Sequence, residues 1–206
     1  IIDGATLMIE PGVTVKMGGG VRVSVQGKIL ARGSASEPIV FTSVADDSYA
    51  GDTNHNSTST MPAPGNWVGI KISNPAEASQ FDYAVFRYGG AGCGWGCPPA
   101  EDMAMLSFAA SPVDIRHSVI EHSLTFGMYS LNSSGVITDS IFTEDYMADQ
   151  WFGFFALGID GGSLLIRGNT FDNNKTCLSV FIGPHVVDGN VFTKNQTPVM
   201  FGSTDP

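Results

Sequence analysis

The chain has 206 residues, 43% of them hydrophobic and 15% charged, and its 20 acidic against 10 basic residues leave a net charge of -10. That balance repels a phosphate backbone and excludes nucleic-acid binding, and no stretch approaches the run of about 18 apolar residues that a membrane span needs. Ile1 is not an initiator methionine and no basic leader precedes the first apolar pattern, so the chain reads as a processed start or a segment of something longer.

The first elements are short and strictly alternating. Leu7 and Ile9, Val13 and Val15, then Val21, Val23 and Val25 are separated by Pro-Gly or Gly-Gly-Gly corners. Period-two apolar runs bounded by glycine predict short strands with one face buried. Farther on the landmarks repeat. Ile166-Arg167-Gly168-Asn169-Thr170-Phe171 recurs as Val187-Asp188-Gly189-Asn190-Val191-Phe192, and the same frame fits Ile115–Ile120, Ile137–Phe142 and Phe81–Phe86. A sandwich has no common frame for consecutive strands, so the reading is an all-β repeat fold. It is expected as a right-handed single-stranded parallel β-helix, a solenoid of about seven to eight coils, in one domain over 1–206.

Stacking that frame predicts an inward column of Phe41, Phe86, Ile120, Phe142, Phe171 and Phe192. A second column, Ile39, Ala84, Ser118, Ser140, Asn169 and Asn190, falls at a corner where side chains can bond free backbone groups. Asn174 and Asn195 mark another such corner. Three stretches break the period and are expected as loop insertions, near 43–66, 89–102 and 144–153; these are where functional chemistry is sought.

The stretch from Ile9-Glu10-Pro11-Gly12-Val13 through Gly27-Lys28-Ile29 to Pro38-Ile39-Val40-Phe41 resembles bacterial secreted right-handed β-helix repeat proteins of the pectin-lyase-like superfamily. So does Asp46–Asn54 followed by Pro64-Gly65-Asn66-Trp67. The match is to the non-enzymatic surface-protein branch. This resemblance implies an exported, modular protein, and a cell-surface adhesin, filament or sheath component is the leading expectation. Its partner would be another protein, or a second copy, meeting open solenoid ends. The alternative is a polysaccharide-binding or polysaccharide-cleaving protein, a lyase or glycosidase. The signature strings of polygalacturonases and classical pectate lyases are absent, and no catalytic residue is assigned.

Individual residues carry four further expectations. Asp46, Asp47, Asp52, Asn54 and Asn56 crowd hard oxygen donors into eleven residues, with the D-x-N-x-N spacing of half an EF-hand loop, and predict a structural calcium ion. Cys93 and Cys97 flank a glycine-lined loop and predict a disulfide, with Cys177 left as a packed thiol. Arg87, Arg116, Glu121 and Trp151 form the candidate carbohydrate face. Against that face, the frame sets Asp82 beside Arg116 and Arg87 beside Glu121, as opposite-charge neighbours on adjacent coils. The histidines His55, His117, His122 and His185 show no ligand spacing.

Overall fold

The structure is a computed structural model and describes residues 1–57, 59–73, 76–92, 97–144 and 155–202. In chain order its elements are β1 (Thr6–Ile9), β2 (Thr14–Met17), β3 (Arg22–Val25), β4 (Lys28–Arg32), β5 (Ile39–Ser43), β6 (Gly69–Ser73), β7 (Ser79–Asp82) and β8 (Ala84–Arg87). A short helix, α1 (Ala100–Met103), precedes β9 (Leu106–Ala109), β10 (Pro112–Arg116), β11 (Val119–Glu121), β12 (Met128–Thr138) and β13 (Ile141–Thr143). The last are β14 (Leu157–Arg167), β15 (Thr170–Asp172), β16 (Thr176–Phe181), β17 (Val186–Asp188), β18 (Val191–Thr193) and β19 (Thr197–Gly202).

These strands form two parallel sheets, and that arrangement corrects the single-stranded solenoid expected from the repeat. One sheet has 12 strands and curls into a half-barrel; the other has seven, in the order β18-β15-β13-β11-β8-β5-β2. The larger sheet is branched. Within it β12 pairs β9 through Met128–Leu131 and β10 through Ser134–Thr138, while β14 likewise pairs both β16 and β17. The chain around Asn132 and Gly161 therefore lies inside 11-residue strands that join two strand columns into one sheet. Glycine makes this passage feasible. Gly162, at φ +86°, lies so close to the Ser133 carbonyl that any Cβ would collide with it.

The repeat frame itself sets the register. Phe41 pairs with Phe86, Phe86 with Ile120, Ile120 with Phe142, Phe142 with Phe171 and Phe171 with Phe192. Apart from Phe192, which is partly buried, this column is shut away from solvent. Its rings stack face to face, with centroids 4.9 Å apart for Phe41–Phe86 and Phe142–Phe171 and 5.0 Å for Phe171–Phe192.

The corner column works as a ladder. The backbone N–H of Ala84 donates to Ser118 Oγ (3.1 Å), that of Ser118 to Ser140 Oγ (3.1 Å), that of Ser140 to Asn169 Oδ1 (3.0 Å), and that of Asn169 to Asn190 Oδ1 (2.9 Å). The same side chains return a hydrogen bond to a carbonyl: Ser118 Oγ to Arg116, Ser140 Oγ to Thr138, Asn169 Nδ2 to Ile137 and Asn190 Nδ2 to Ile166. Bends leave backbone groups without ladder partners inside the protein, and these side chains supply them. Asn174 and Asn195 repeat the arrangement at the next corner, with Asn174 N donating to Asn195 Oδ1 at 2.9 Å. A third pair, Ser111 N to Ser133 Oγ at 3.1 Å, was not expected from the sequence.

Cys177 is a fully buried free cysteine, and burial pushes its thiol pKa up to about 12. The thiolate is the reactive form, so Cys177 should resist iodoacetamide at pH 8 in the folded protein and react only after denaturation. Rapid labelling of the native chain would contradict its placement in the core.

Candidate functional site

The expected carbohydrate residues are not brought together. Arg87 and Glu121 lie on β8 and β11 of the seven-stranded sheet, Arg116 lies on β10 of the 12-stranded sheet, and Trp151 lies outside the described residues. They resolve into two separate groups.

The first is centred on Arg87, at the end of β8, where the Val44–Val68 connection folds back over the sheet. Arg87 Nε sits 3.1 Å from Glu121 Oε1 and 3.6 Å from Asp46 Oδ2. It is poorly aligned for a hydrogen bond to either, so the attraction is ionic. The guanidinium also faces the rings of Tyr88, at 4.6 Å, and Tyr49, at 5.3 Å, and donates to the Tyr88 hydroxyl. Burial opposes the charge on Arg87, but Glu121, Tyr88 and Asp46 together raise its pKa above the ordinary arginine value. Asp46 is buried, which alone would raise its pKa. Hydrogen bonds from Ser48 and Thr42, helped by Arg87, instead hold it below the usual carboxylate range. Trp67 is fully buried beneath this group and donates from Nε1 to the Arg87 carbonyl at 2.9 Å. The expected Arg87–Glu121 pair is thus present between adjacent strands, and Asp46 ties the loop to the same arginine. Its charges are engaged by one another.

Of the residues expected to hold calcium, Asp46, Asp52 and Asn54 are engaged within the protein, whereas Asp47 Oδ1 and Asn56 Oδ1 are buried without a hydrogen-bond partner among the described residues. Among the described residues no three acidic, histidine or cysteine side chains converge on a metal position. Asp46 turns to Thr42, Ser48 and Arg87. Asp52 accepts from the backbone N–H of Asn56 (3.1 Å) and of Ser57 (2.8 Å), while Asn54 Nδ2 donates to the Val44 carbonyl (3.0 Å). Alternate Asx residues here close turns on their own backbone, which needs the same spacing as an ion-wrapping loop. Cys97 is disulfide-bonded, and its expected partner Cys93 lies outside the described residues.

The second group lies on the outer face of the 12-stranded sheet. Alternation along β4, β7 and β10 turns Ala31, Phe81 and Ile115 inward and Arg32, Asp82 and Arg116 outward, in register with one another. Arg32, Gln80, Phe81, Asp82, Asp114 and Arg116 line a groove of about 220 Å3. Arg116 Nε donates to Asp114 Oδ1 at 2.7 Å, Arg32 Nε to Gln80 Oε1 at 2.7 Å, and His117 Nδ1 lies 2.8 Å from Asp82 Oδ1. Asp82 and Arg116 are neighbours as expected, yet each takes a different partner, Asp82 the histidine and Arg116 the aspartate two residues back. His117 stacks on Tyr83, with ring centroids 4.7 Å apart and planes 11° from parallel. A matching stack of His122 on Tyr88 lies at the opposite end of β11, where His122 Nε2 meets Glu144 Oε2 at 3.1 Å. All four ring residues sit at corners with positive φ. Sequence reasoning missed Arg32 and Gln80, although extending the column arithmetic by one strand would have set Arg32 beside Asp82.

No helix among the described residues is long and apolar enough to cross a membrane. No family model, curated protein or solved structure matches this chain.

Proposed function

We propose that this protein is a non-catalytic extracellular structural or adhesive component that associates, copy to copy, through the open edges of its sheets. The observation that carries this reading is the state of those edges. At one end β1, β2 and β3 each pair with a single strand, and at the other so do β17, β18 and β19. Both ends also expose large apolar side chains, Met8 at 63% and Val13 at 39% on one, Val191 at 55% and Phe201 at 73% on the other. An unblunted edge of this kind is a template for a further strand, and exposed apolar surface adds to the gain from pairing. The non-catalytic reading is supported by the Arg87 group, whose carboxylates are tied to their own arginine and leave no free acid–base pair. The extracellular placement draws on the sequence resemblance and on the oxidised Cys97.

Sedimentation velocity over a wide concentration range tests association. The wild-type chain should form larger species as concentration rises. Met8→Lys and Val191→Lys, which place a charge on each edge, should remain monomeric without loss of melting temperature. A wild-type chain that stays monomeric throughout would refute copy-to-copy pairing. Turnover of polysaccharide into new reducing or unsaturated ends would refute the non-catalytic half.

A further inference from the structure

We infer that the outer face of the 12-stranded sheet is a self-complementary surface on which a second copy of this chain lies side to side, its rungs stacked in the opposite direction. This contact is apart from the sheet edges and does not depend on their pairing.

The pattern of charge carries the inference. Register sets Arg32, Asp82, Arg116, Thr138, Arg167 and Asp188 in one outward column across β4, β7, β10, β12, β14 and β17. The signs run plus, minus, plus, neutral, plus, minus. Two identical faces meet about a two-fold axis, and an axis along the strands, between Arg116 and Thr138, lays the column on its own reverse. Arg32 then faces the partner's Asp188, Asp82 faces the partner's Arg167, and Arg116 faces the partner's Thr138. Symmetry repeats each contact, so every aspartate of the column meets an arginine and no like charges meet. Sliding either copy by one rung sets Arg116 against an arginine. An axis along the stack instead would lay every rung on itself, arginine on arginine. Like-charge contact thus excludes the other arrangements.

The side chains are placed for such a contact. Arg167 is tied to Asp188 of its own chain through Nε and Oδ2, Asp82 to His117 through Oδ1, and Arg32 to Gln80 through Nε and Nη2. Among the described residues this leaves both Arg167 Nη atoms, Arg32 Nη1, Asp82 Oδ2 and Asp188 Oδ1 for a partner. Groups already held in position lose less entropy on docking. Two residues back along the strands, the same axis lays Leu30 on the partner's Val186, an exposed apolar side chain. Arg32, Arg116 and Arg167 balance Asp82, Asp114 and Asp188, so this face is neutral on a chain whose net charge is -10. Five rung steps of about 4.8 Å and strands about 16 Å long give roughly 400 Å2 on each copy, half of what a stable complex buries. Single copies therefore pair weakly, at about millimolar concentration, below the reach of sedimentation.

Paramagnetic relaxation between two populations of the full chain tests the pair. One population carries a nitroxide on Ser36→Cys, an exposed site just past β4, and the other is isotope-labelled without it. Both carry Met8→Lys and Val191→Lys to block the edges. Mixed at about 0.5 mM each, the nitroxide should broaden the amides of Val186–Asp188 at least twice as strongly as those of Lys28–Arg32. Asp82→Lys in both populations, or Arg167→Glu in both, should abolish the broadening at unchanged melting temperature. Asp82→Lys in one population and Arg167→Glu in the other should restore it, because the two introduced charges then face each other. A change within one chain could not be reversed by mixing. If either variant misfolds, Asp188→Lys with Arg32→Glu is the equivalent couple. The proposal is overturned by absent broadening, by broadening stronger at Lys28–Arg32, or by a mixed pair that stays silent. Edge pairing is read separately, by sedimentation of the unblocked chain, so the failure of one reading is told apart from failure of the other.

Discussion

Phe171→Ala should destabilise the protein by about 3 to 5 kcal/mol. The ring is fully buried and stacked on both sides, by Phe142 at 4.9 Å and Phe192 at 5.0 Å. Truncation removes its transfer free energy and opens a void between two rings that parallel strands hold about 4.8 Å apart per step, so neither neighbour can collapse into the gap. The loss of two stacked ring contacts adds to the effect. Urea denaturation should show the midpoint falling with little change in slope. Phe201→Ala is the control, because that ring is 73% exposed and its loss should stay within about 0.5 kcal/mol. Equal effects at the two positions would mean that the phenylalanine column is not the core.

Asn169→Ala is expected to cost about 2 to 5 kcal/mol, although it removes only a small polar group. The Asn169 amide is fully buried, accepts from Ser140 N and donates to the Ile137 carbonyl at 2.9 Å. Alanine would leave both backbone groups buried and unpaired, each costing about 1 to 3 kcal/mol. Asn169→Ser should recover part of this, because serine already occupies the equivalent places at 118 and 140 and reaches both a backbone N–H and a carbonyl there. Thermal melts of the two variants side by side would decide. Full recovery by neither, with Asn169→Ala close to wild type, would show that the ladder contributes little to stability.

These two positions were legible before any coordinates because each repeats a chemical requirement at a fixed interval. A large apolar residue on every rung, phenylalanine on all but the Ile120 one, declares an inward column, and the serine or asparagine two residues before it on the later rungs declares a corner. The partition of strands into sheets was not legible in the same way. Whether Asn132-Ser133 and Gly161-Gly162 turn the chain or carry it straight on depends on how closely two backbones approach, and glycine permits either outcome. The acidic loop is ambiguous for a related reason. Asp52, Asn54 and Asn56 have the alternate spacing that suits an ion, and that spacing suits turns closed on backbone N–H groups equally well. The groove was partly hidden by distance along the chain. Gln80 holds Arg32 from 48 residues away, and only a register for β4 against β7 reveals the pair.

The corner ladder also has a direction. Every rung lends its side chain to the backbone of the rung before it, and none lends one forward: Asn190 serves Asn169, Asn169 serves Ser140, Ser140 serves Ser118, and Ser118 serves Ala84. The two faces of any rung are therefore unequal in what they need. A rung that loses its follower is left with an unanswered donor, whereas a serine rung that loses its predecessor keeps its bond to a carbonyl of its own rung; only the asparagine rungs, at the far end, also reach back to a carbonyl of the rung before. Fraying that begins at β18 undermines the strand next to it, and each failure exposes the next donor in turn. Fraying from β2 meets no such chain of dependence. The molecule has a weak end and a strong end, set by which way its asparagines and serines point.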